Sequence, residues 1–467
     1  MSTLRIFNHY VRVPFLVLGF IELTGIFSSV ILASYILIAY KFHDDGFIAS
    51  LSLKAGIMTF VMLLSMIASG LYQARLREGT LGFILRLTTS YLLAIVGLSL
   101  IFYIFPSLLL GRGIMAISLA TSFSFIVIIR LLLFLTDPSI FKKRILVLGA
   151  GKRASSLTEL RRKSDQFGFT ILGFVHLRGE SDVVDKEKIL NLNMPLLDYI
   201  DRNDIDEIVV AIEDRRKGIP MRELLDCKMR GVDIIDVLTF FERETGKVRL
   251  DHLHPSWLLF SDGFNQGGTR AFTKRAFDLV ISTCLLLVTW PLMLLAAIAI
   301  WLESGCKFST PILFKQVRVG EGGRPFQVLK FRSMVVDAEK SGKAQWATKN
   351  DSRITRVGKL IRKIRVDELP QIFNVFRGDM SFVGPRPERP EFVVILSEKI
   401  AYYAERHHVK PGITGWAQLL YPYGSSEKDA MEKLQYDLYY VKNHSIFLDF
   451  LIMLQTAEVV LFGRGAR

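Results

Sequence analysis

Cysteine is scarce in this chain: among 467 residues there are three, Cys227, Cys284 and Cys306, far apart in sequence. That spacing excludes a disulfide framework and a cysteine-built metal cluster, and it fits a reducing compartment. Acidic residues are the minority charge, 45 against 59 lysines and arginines, which leaves a formal net charge of +14. Such a balance suits nucleic acid, anionic lipid headgroups or phosphorylated substrates. Half of the residues are hydrophobic and mean hydropathy is positive. The apolar content favours lipid and phosphate and removes nucleic acid from the expected partners. Polar faces at helical period are missing from the first 136 residues, which argues against a soluble helical core there.

What fills that region is four apolar segments, over 13–40, 47–72, 81–108 and 113–135. Each supplies the roughly 17–25 residues of a spanning helix. None reads as a cleaved signal, since the first is too long and others follow it. Arg5 and Arg12 precede the first segment, and Arg75 and Arg77 separate the second from the third, whereas Asp44 and Asp45 oppose Lys41 in the first loop. The positive-inside rule then puts the N-terminus in the cytoplasm. Glu22, inside the first segment, is either a functional intramembrane acid or a helix contact.

Polarity jumps at Lys142-Lys143-Arg144. A buried-strand pattern at 145–148 runs into Gly149-Ala150-Gly151-Lys152-Arg153-Ala154, the G-x-G-x-x-A spacing of a nucleotide-binding turn. Strand patterns at 171–175, 205–212 and 232–237, with a helix over 221–230, predict a parallel sheet. The second strand ends in Phe174-Val175-His176-Leu177, without the acid that holds a ribose, and no Tyr-x-x-x-Lys pair follows. Dehydrogenase chemistry therefore has no visible acid–base apparatus. Gly149 and Gly151 mark a possible regulatory nucleotide site on a scaffold or dimerisation domain.

A fifth apolar segment, 279–301, holds 23 residues without a charge. As a straight helix it is about 35 Å long, enough to cross a bilayer. Crossing would strand the basic stretch containing Lys315, Arg318, Arg324, Lys330 and Arg332 outside, against the charge rule. Pro291 interrupts the helical hydrogen-bond ladder, so a re-entrant helix resolves the conflict, with Thr289 near enough to meet a freed backbone group.

The remaining residues predict a compact domain of short elements. Strands are expected at 314–320 and 326–334, a helix at 337–347, and a basic amphipathic helix over 354–365. Asp367 and Glu368 then stand beside Pro370 inside a run of arginines and lysines. Asp367 fits an N-cap of a helix running toward Phe376, with Glu368 paired to Arg365. It equally fits an ionised nucleophile toward phosphorus, with Glu368 holding Mg²⁺. Gly384-Pro385-Arg386-Pro387 is a rigid turn presenting one guanidinium, suited to phosphate. His407 and His408 lack a third metal ligand. Trp416, Tyr436, Tyr439 and Tyr440 fit an interfacial aromatic rim, and 446–462 is a last apolar segment.

These motifs carry a resemblance. Lys330-Phe331-Arg332-Ser333-Met334, Asp367-Glu368-Leu369-Pro370-Gln371, Asn374-Val375, Met380 through Pro387 and Lys410 through Trp416 resemble the bacterial polyprenyl-phosphate hexose-1-phosphate transferases (phosphoglycosyl transferases). The likeness is to the long form that initiates exopolysaccharide assembly, and it covers essentially the whole chain. The last third, with Tyr421-Pro422-Tyr423-Gly424 and Lys433 through Tyr440, is similar to the exosortase-associated subgroup. The resemblance implies a membrane protein with an N-terminal four-helix transmembrane block (1–140) and a Rossmann-like α/β middle domain (141–262). A mainly helical monotopic catalytic domain (263–467) follows, with a re-entrant helix over 274–303. It implies that Asp367 attacks a UDP-sugar, forming a covalent aspartyl-phosphosugar and releasing UMP, before undecaprenyl phosphate accepts the phosphosugar. Glu368 would bind Mg²⁺; Lys330, Arg332, Arg365, Gln371, Arg386 and Arg389 would bind substrate. Lys274, Arg275 and Pro291 would anchor the re-entrant helix among membrane lipids, although Trp290 stands where many relatives have serine. The implied setting is a homodimer in the bacterial inner membrane, multi-pass, catalytic on the cytoplasmic face, feeding downstream polysaccharide-assembly glycosyltransferases.

Overall fold

The computed structural model describes residues 3–6, 9–38, 45–72, 79–135, 142–158, 168–177, 181–192, 194–213, 219–253, 267–307, 310–336, 353–421, 424 and 426–461. The expected helix at 337–347 lies outside them, as do Lys41, Asp44, Arg75 and Arg77, which set the expected orientation. Two compact units are present: Met1–Ile6 with Tyr10–Thr245, and Phe7–His9 with Gly246–Arg467.

The first unit opens with α1 (Val13–Ile38), α2 (Asp45–Ala68), α3 (Gly79–Ile104) and α4 (Arg112–Leu135). Residues three or four apart put one stripe of each helix inward: Ile26 and Val30, then Met58, Met62 and Met66, then Leu87, Tyr91, Ala94 and Leu98. The outward faces are apolar as well, with Phe20, Leu32, Phe60 and Val96 exposed. By length and composition these four helices, and a fifth in the second unit, are able to cross a membrane. Glu22 on α1 is fully buried. Arg130 on α4 donates to it through Nε at 2.6 Å and Nη2 at 3.0 Å, Tyr72 donates at 2.5 Å, and Arg130 Nη1 reaches the Leu71 carbonyl at 2.8 Å. Glu22 is therefore a helix contact, the second of the two expectations.

A five-stranded parallel sheet follows: β1 (Lys143–Leu148), β2 (Phe169–Val175), β3 (Ile189–Leu190), β4 (Glu207–Val210) and β5 (Asp233–Asp236), in the order β3-β2-β1-β4-β5. Alternate residues serve opposite faces. Ile145, Val147 and Val209 meet Phe240 and Phe241 of α8 (Val237–Thr245), whereas Leu146, Leu148 and Ile208 meet Leu196 and Ile200 of α6 (Leu196–Arg202) and Leu224 of α7 (Met221–Met229). Burial on both faces is why residues 145–148 of β1 read as an unbroken apolar run. Gly149 and Gly151 form the turn between β1 and α5 (Lys152–Thr158). The backbone N–H of Lys152 donates to Glu213 Oε1 at 2.7 Å, and a Cβ on Gly151 would meet that oxygen at 3.0 Å. The chain's own carboxylate thus takes the place where such turns hold a phosphate.

The second unit is largely helical. The helix α9 (Gly268–Glu303) runs continuously, with Pro291 inside it, where the sequence predicted a break. Thr289 donates its hydroxyl to the Leu285 carbonyl at 2.7 Å, one turn before the proline. An antiparallel hairpin follows, β6 (Leu313–Val319) and β7 (Pro325–Phe331). Then come α10 (Arg356–Lys363), α11 (Gln371–Arg377), β8 (Ser381–Val383), α12 (Pro390–Lys399), β9 (Gly412–Thr414), α13 (Trp416–Leu420), α14 (Glu427–Asn443) and α15 (Ile446–Leu461). Trp416, Tyr436, Tyr439 and Tyr440 are buried in its core with Leu434, Leu438 and Leu448. The expected aromatic rim is an interior cluster, in which Trp416, Tyr439 and Tyr440 find protein partners for their polar tips. The Tyr440 hydroxyl, for one, donates to the Val383 carbonyl at 2.9 Å and to Asp449 at 2.7 Å.

Replacing Glu22 by Leu leaves Arg130 buried without its carboxylate. In detergent this is expected to cost about 3 kcal/mol of stability, read as a lower melting temperature. The double variant Glu22→Leu, Arg130→Leu should recover most of the loss, and a double variant no better than the single would contradict the pair's role.

Candidate active site

The site grows from the chain reversal after α10. Thr355 caps that helix by accepting the Gly358 N–H at 2.9 Å. A Cβ on Gly358 would fall 2.1 Å from the Ser333 carbonyl, so glycine is what lets α10 close against the strand leaving β7. The polar side of α10 carries Arg356, Lys359, Arg362 and Lys363; its buried side is Gly358 and Ile361. Arg365 then adopts φ +60°, a left-handed conformation that costs a non-glycine residue about 1–3 kcal/mol. That turn drives Val366 into a cluster with Ile361, Phe331 and Ile300 and leaves Asp367 and Glu368 in a 3-10 turn over Val366–Glu368.

Asp367 is 9 % exposed, and its Oδ1 is buried with no hydrogen-bond partner among the described residues. It does not cap α11. Pro370 occupies the N-cap position, with no side-chain cap, because the 3-10 turn postpones the helix until Gln371. Burial, reinforced by the neighbouring Glu368 charge, raises the Asp367 carboxyl above its ordinary value, against the pull of Lys330, Arg362 and Arg365. Glu368 moves the other way. Burial acts to raise it, but Arg386, Lys330 and Arg365 outweigh that and hold it well below the usual carboxylate range. Lys330 Nζ lies 3.2 Å and Arg386 Nη2 2.8 Å from the same oxygen, Glu368 Oε1. Burial, with Arg386 and Arg318 adding to it, pulls the Lys330 ammonium down despite Glu368.

Arg386 is held from three sides. Its Nη2 donates to Glu368, its Nη1 donates to Gln418 Oε1 at 3.2 Å, and its carbonyl accepts from Arg406 Nη2 at 3.0 Å. Arg406 is itself buried against Asp437 at 2.7 Å and the Tyr403 hydroxyl at 2.8 Å. Burial acts to lower the Arg406 guanidinium, and Tyr403, Asp437 and Glu388 more than reverse it, so it stays charged. The turn bearing Arg386 follows β8, which pairs in parallel with β9. Here two motifs become one object. A Cβ on Gly384 would lie 2.3 Å from the Lys410 carbonyl, on Gly412 2.0 Å from Gly384 N, and on Gly415 2.2 Å from the Gly384 carbonyl. Only side-chain-free backbones approach this closely.

The remaining expected residues are distributed. Gln371 is buried in the first turn of α11. Arg365 supplies the turn. Arg332 points to the end of α9, where it donates to the Ser304 hydroxyl; burial lowers its guanidinium, partly opposed by Glu303. Arg389 is the residue before α12. Lys274 and Arg275 turn to protein partners: Lys274 pairs with Asp449 at 2.7 Å and Asp278 at 3.1 Å, and Arg275 donates to the Val375 and Phe376 carbonyls at 2.5 and 2.7 Å, closing the end of α11. His407 Nε2 is buried without a hydrogen bond and His408 pairs with Glu405 at 2.6 Å; no cluster of three metal-ligating side chains exists among the described residues. Two contributors escaped sequence reasoning, and a third, Asn374, stood in the Asn374-Val375 motif without an assigned role. Asn374 fastens α11 to β7, accepting from Leu329 N at 2.9 Å and donating to the Gln327 carbonyl at 2.7 Å. Gln418 lies two positions past the motif ending at Trp416, and Arg406 sat beside the histidines that drew attention to that stretch.

Residues 269–463 match the family described as bacterial sugar transferase. The chain is 42% identical over 263 residues to the UDP-N-acetylgalactosamine-undecaprenyl-phosphate N-acetylgalactosaminephosphotransferase of Aeromonas hydrophila, spanning 56% of this chain and 60% of that one. It is 35% identical over 332 residues to the UDP-glucose:undecaprenyl-phosphate glucose-1-phosphate transferase of Klebsiella pneumoniae, 70% and 69% of the two chains. The uncharacterized sugar transferase EpsL of Bacillus subtilis is 41% identical over 192 residues, 41% of this chain and 89% of that one.

Gly384→Ala forces a methyl group into the Lys410 backbone and is expected to cost about 3 kcal/mol in thermal unfolding. Because no side chain can rotate out of the way, a neutral result would show that β8 and β9 do not hold this register.

Proposed function

The chain belongs to the bacterial sugar transferase family, and on that premise we propose that it transfers hexose-1-phosphate from a UDP-sugar to undecaprenyl phosphate with release of UMP. The observation that carries this reading is the pair of adjacent carboxylates driven in opposite directions: Asp367 buried with a bare Oδ1, Glu368 clamped as an anion by Lys330 and Arg386. In the first half-reaction an Asp367 oxygen attacks the β-phosphorus, the bond to the α-phosphate bridging oxygen breaks, and UMP leaves with that electron pair. In the second, a phosphate oxygen of the lipid attacks the same phosphorus and returns the carboxylate to Asp367. Lys330 and Arg386 are in place to meet the diphosphate charge. Both recorded cation contacts of Glu368 fall on Oε1, which suits Mg²⁺ taking its other oxygen. A site with one or two carboxylates and substrate phosphates is this ion's usual arrangement. When bound it would neutralise phosphate charge.

The finer reading is a long-form, exosortase-associated enzyme of three domains, 1–140, 141–262 and 263–467. It works as a homodimer on the cytoplasmic face of the inner membrane and supplies downstream polysaccharide-assembly glycosyltransferases. The α9 geometry supports a re-entrant segment. Near one end Arg275 closes α11, and near the other Ile300 lies against Val366 beside the carboxylates. The two residues are about 37 Å apart along a straight helix, yet both contact the same unit, so α9 need not carry it across a bilayer. The outer face, with Phe272, Val280, Leu287, Val288 and Leu295 exposed, is apolar enough for lipid. Glu213 in the Gly149–Gly151 turn favours a scaffold role for the middle domain.

Asp367→Asn is expected to lower UMP release about a thousandfold or more and to abolish a labelled phosphosugar-enzyme trapped before lipid acceptor is added. UDP-glucose, UDP-galactose and UDP-N-acetylgalactosamine form the substrate panel. Release of UDP in place of UMP would point to an ordinary glycosyltransferase. Because burial raises the Asp367 carboxyl, the acid limb of the pH–rate profile should lie above the ordinary aspartate value. Activity should be full above that limb and lost as pH falls through it; a limb at or below the ordinary value would argue against Asp367 as the titrating nucleophile. Tags placed before and after α9 should label from the same side of the membrane.

A further inference from the structure

His9 belongs to the same unit as residues 246–467. His9 lies four positions before α1, yet its Nδ1 is 2.8 Å from the Tyr439 hydroxyl. Its ring meets Trp416 edge-on at 5.7 Å, Tyr439 edge-on at 6.0 Å and Phe447 at 6.4 Å. Trp416 stacks on Tyr439 at 5.8 Å and 24°. From another side Trp416 Nε1 donates to the Gly246 carbonyl at 2.8 Å. Gly246 sits at φ +64°, and a Cβ there would press within 3.1 Å of the indole. His9 and Gly246 immediately flank residues 10–245, and these two chain ends of the second unit both contact the indole ring of Trp416. Lys247 with Glu432 at 3.0 Å, and Val248 N with the Gln435 carbonyl at 3.0 Å, fasten the second of these ends to α14.

Trp416 is the first residue of α13, and Gln418 on the same short helix accepts the hydrogen bond from Arg386 Nη1. Five residues with Gly415 packed on Gly384 leave α13 little freedom of its own, so its setting follows that of the indole. Edge-on and stacked aromatic contacts each contribute modestly and directionally, which suits orienting a ring better than holding a fold together. Burial keeps the His9 imidazole neutral, down to about 4, the form able to share one hydrogen bond with a phenol.

We infer that His9 is a positioning residue for the transfer reaction: by closing the aromatic cluster over Trp416 it sets α13, and through Gln418 the angle of Arg386. The inference rests on the proposed activity for its kinetic consequence only, since the effect on α13 is measurable without turnover.

The test uses the full-length chain in lipid nanodiscs, as wild type, His9→Ala, His9→Gln, Gln418→Ala and the His9→Ala, Gln418→Ala double variant. Hydrogen exchange read by mass spectrometry should rise in residues 412–420 of His9→Ala, stay unchanged in 371–377, and return toward wild type in His9→Gln, whose amide still reaches a hydroxyl. With whichever sugar of the UDP-sugar panel supports UMP release, kcat/KM should fall about tenfold in His9→Ala. The double variant should be no worse than Gln418→Ala alone, the non-additivity expected of two residues on one path. Unchanged exchange in 412–420, a uniform rise across the unit, or additive kinetic losses would each overturn the inference. If no sugar in the panel turns over, the exchange result alone decides it, while the proposed activity fails separately.

Discussion

The candidate site is arranged around one oxygen, Oε1 of Glu368, which meets an ammonium from β7 and a guanidinium from the turn after β8. Three stretches far apart in sequence must therefore arrive together. Each has its own device. A left-handed Arg365 turns the chain toward the pair, Asn374 ties β7 to the helix that follows it, and three glycines in mutual contact let the Arg386 turn close on β9. A buried ion pair is poor evidence of stabilisation, because desolvation offsets much of the attraction. Its value here is positional: once the cations are spent on Glu368, the adjacent Asp367 is left in an apolar setting with a bare oxygen.

That asymmetry is what makes the pair chemically interpretable. Two neighbouring carboxylates in identical surroundings would share one role. These two are separated by environment, one pushed up by burial and the other held down by cations, the pattern that assigns distinct tasks to paired acids. A nucleophile benefits from losing its water, and a metal-facing carboxylate from permanent charge. The proposed phosphosugar transfer needs both at adjacent positions.

Much of the architecture was legible in the sequence because it depends on local pattern. The apolar segments, the β–α alternation after Lys142 and the carboxylate pair with its prolines and arginines each declare themselves within a dozen residues. What escaped depends on partners remote in the chain. The aromatic residues of α14 read as a membrane rim until Asp449 and the Val383 carbonyl supplied their hydroxyls with interior partners. Lys274 and Arg275 read as headgroup anchors, while Asp449, Asp278 and two carbonyls of α11 answer their charge inside the protein. The glycine turn at Gly149 carried a valid phosphate-binding pattern, and nothing in that pattern reveals that Glu213, more than sixty residues on, reaches it. Asp367 has the composition of an N-cap; the strained Arg365 conformation that moves the helix start beyond it has no signature in a single sequence.

The groups assembled on Glu368 lie between Arg318 and Asp437, within residues 269–463 that match the bacterial sugar transferase family. The chain passes between the two units at three peptide steps, Ile6 to Phe7, His9 to Tyr10 and Thr245 to Gly246. His9 and Gly246 both contact the ring of Trp416, two residues from the glutamine that holds Arg386. An insertion whose ends met on a peripheral loop would be free to move without consequence for the site. At this indole, strain at His9 or Gly246 is tied to the short helix whose Gln418 accepts from Arg386.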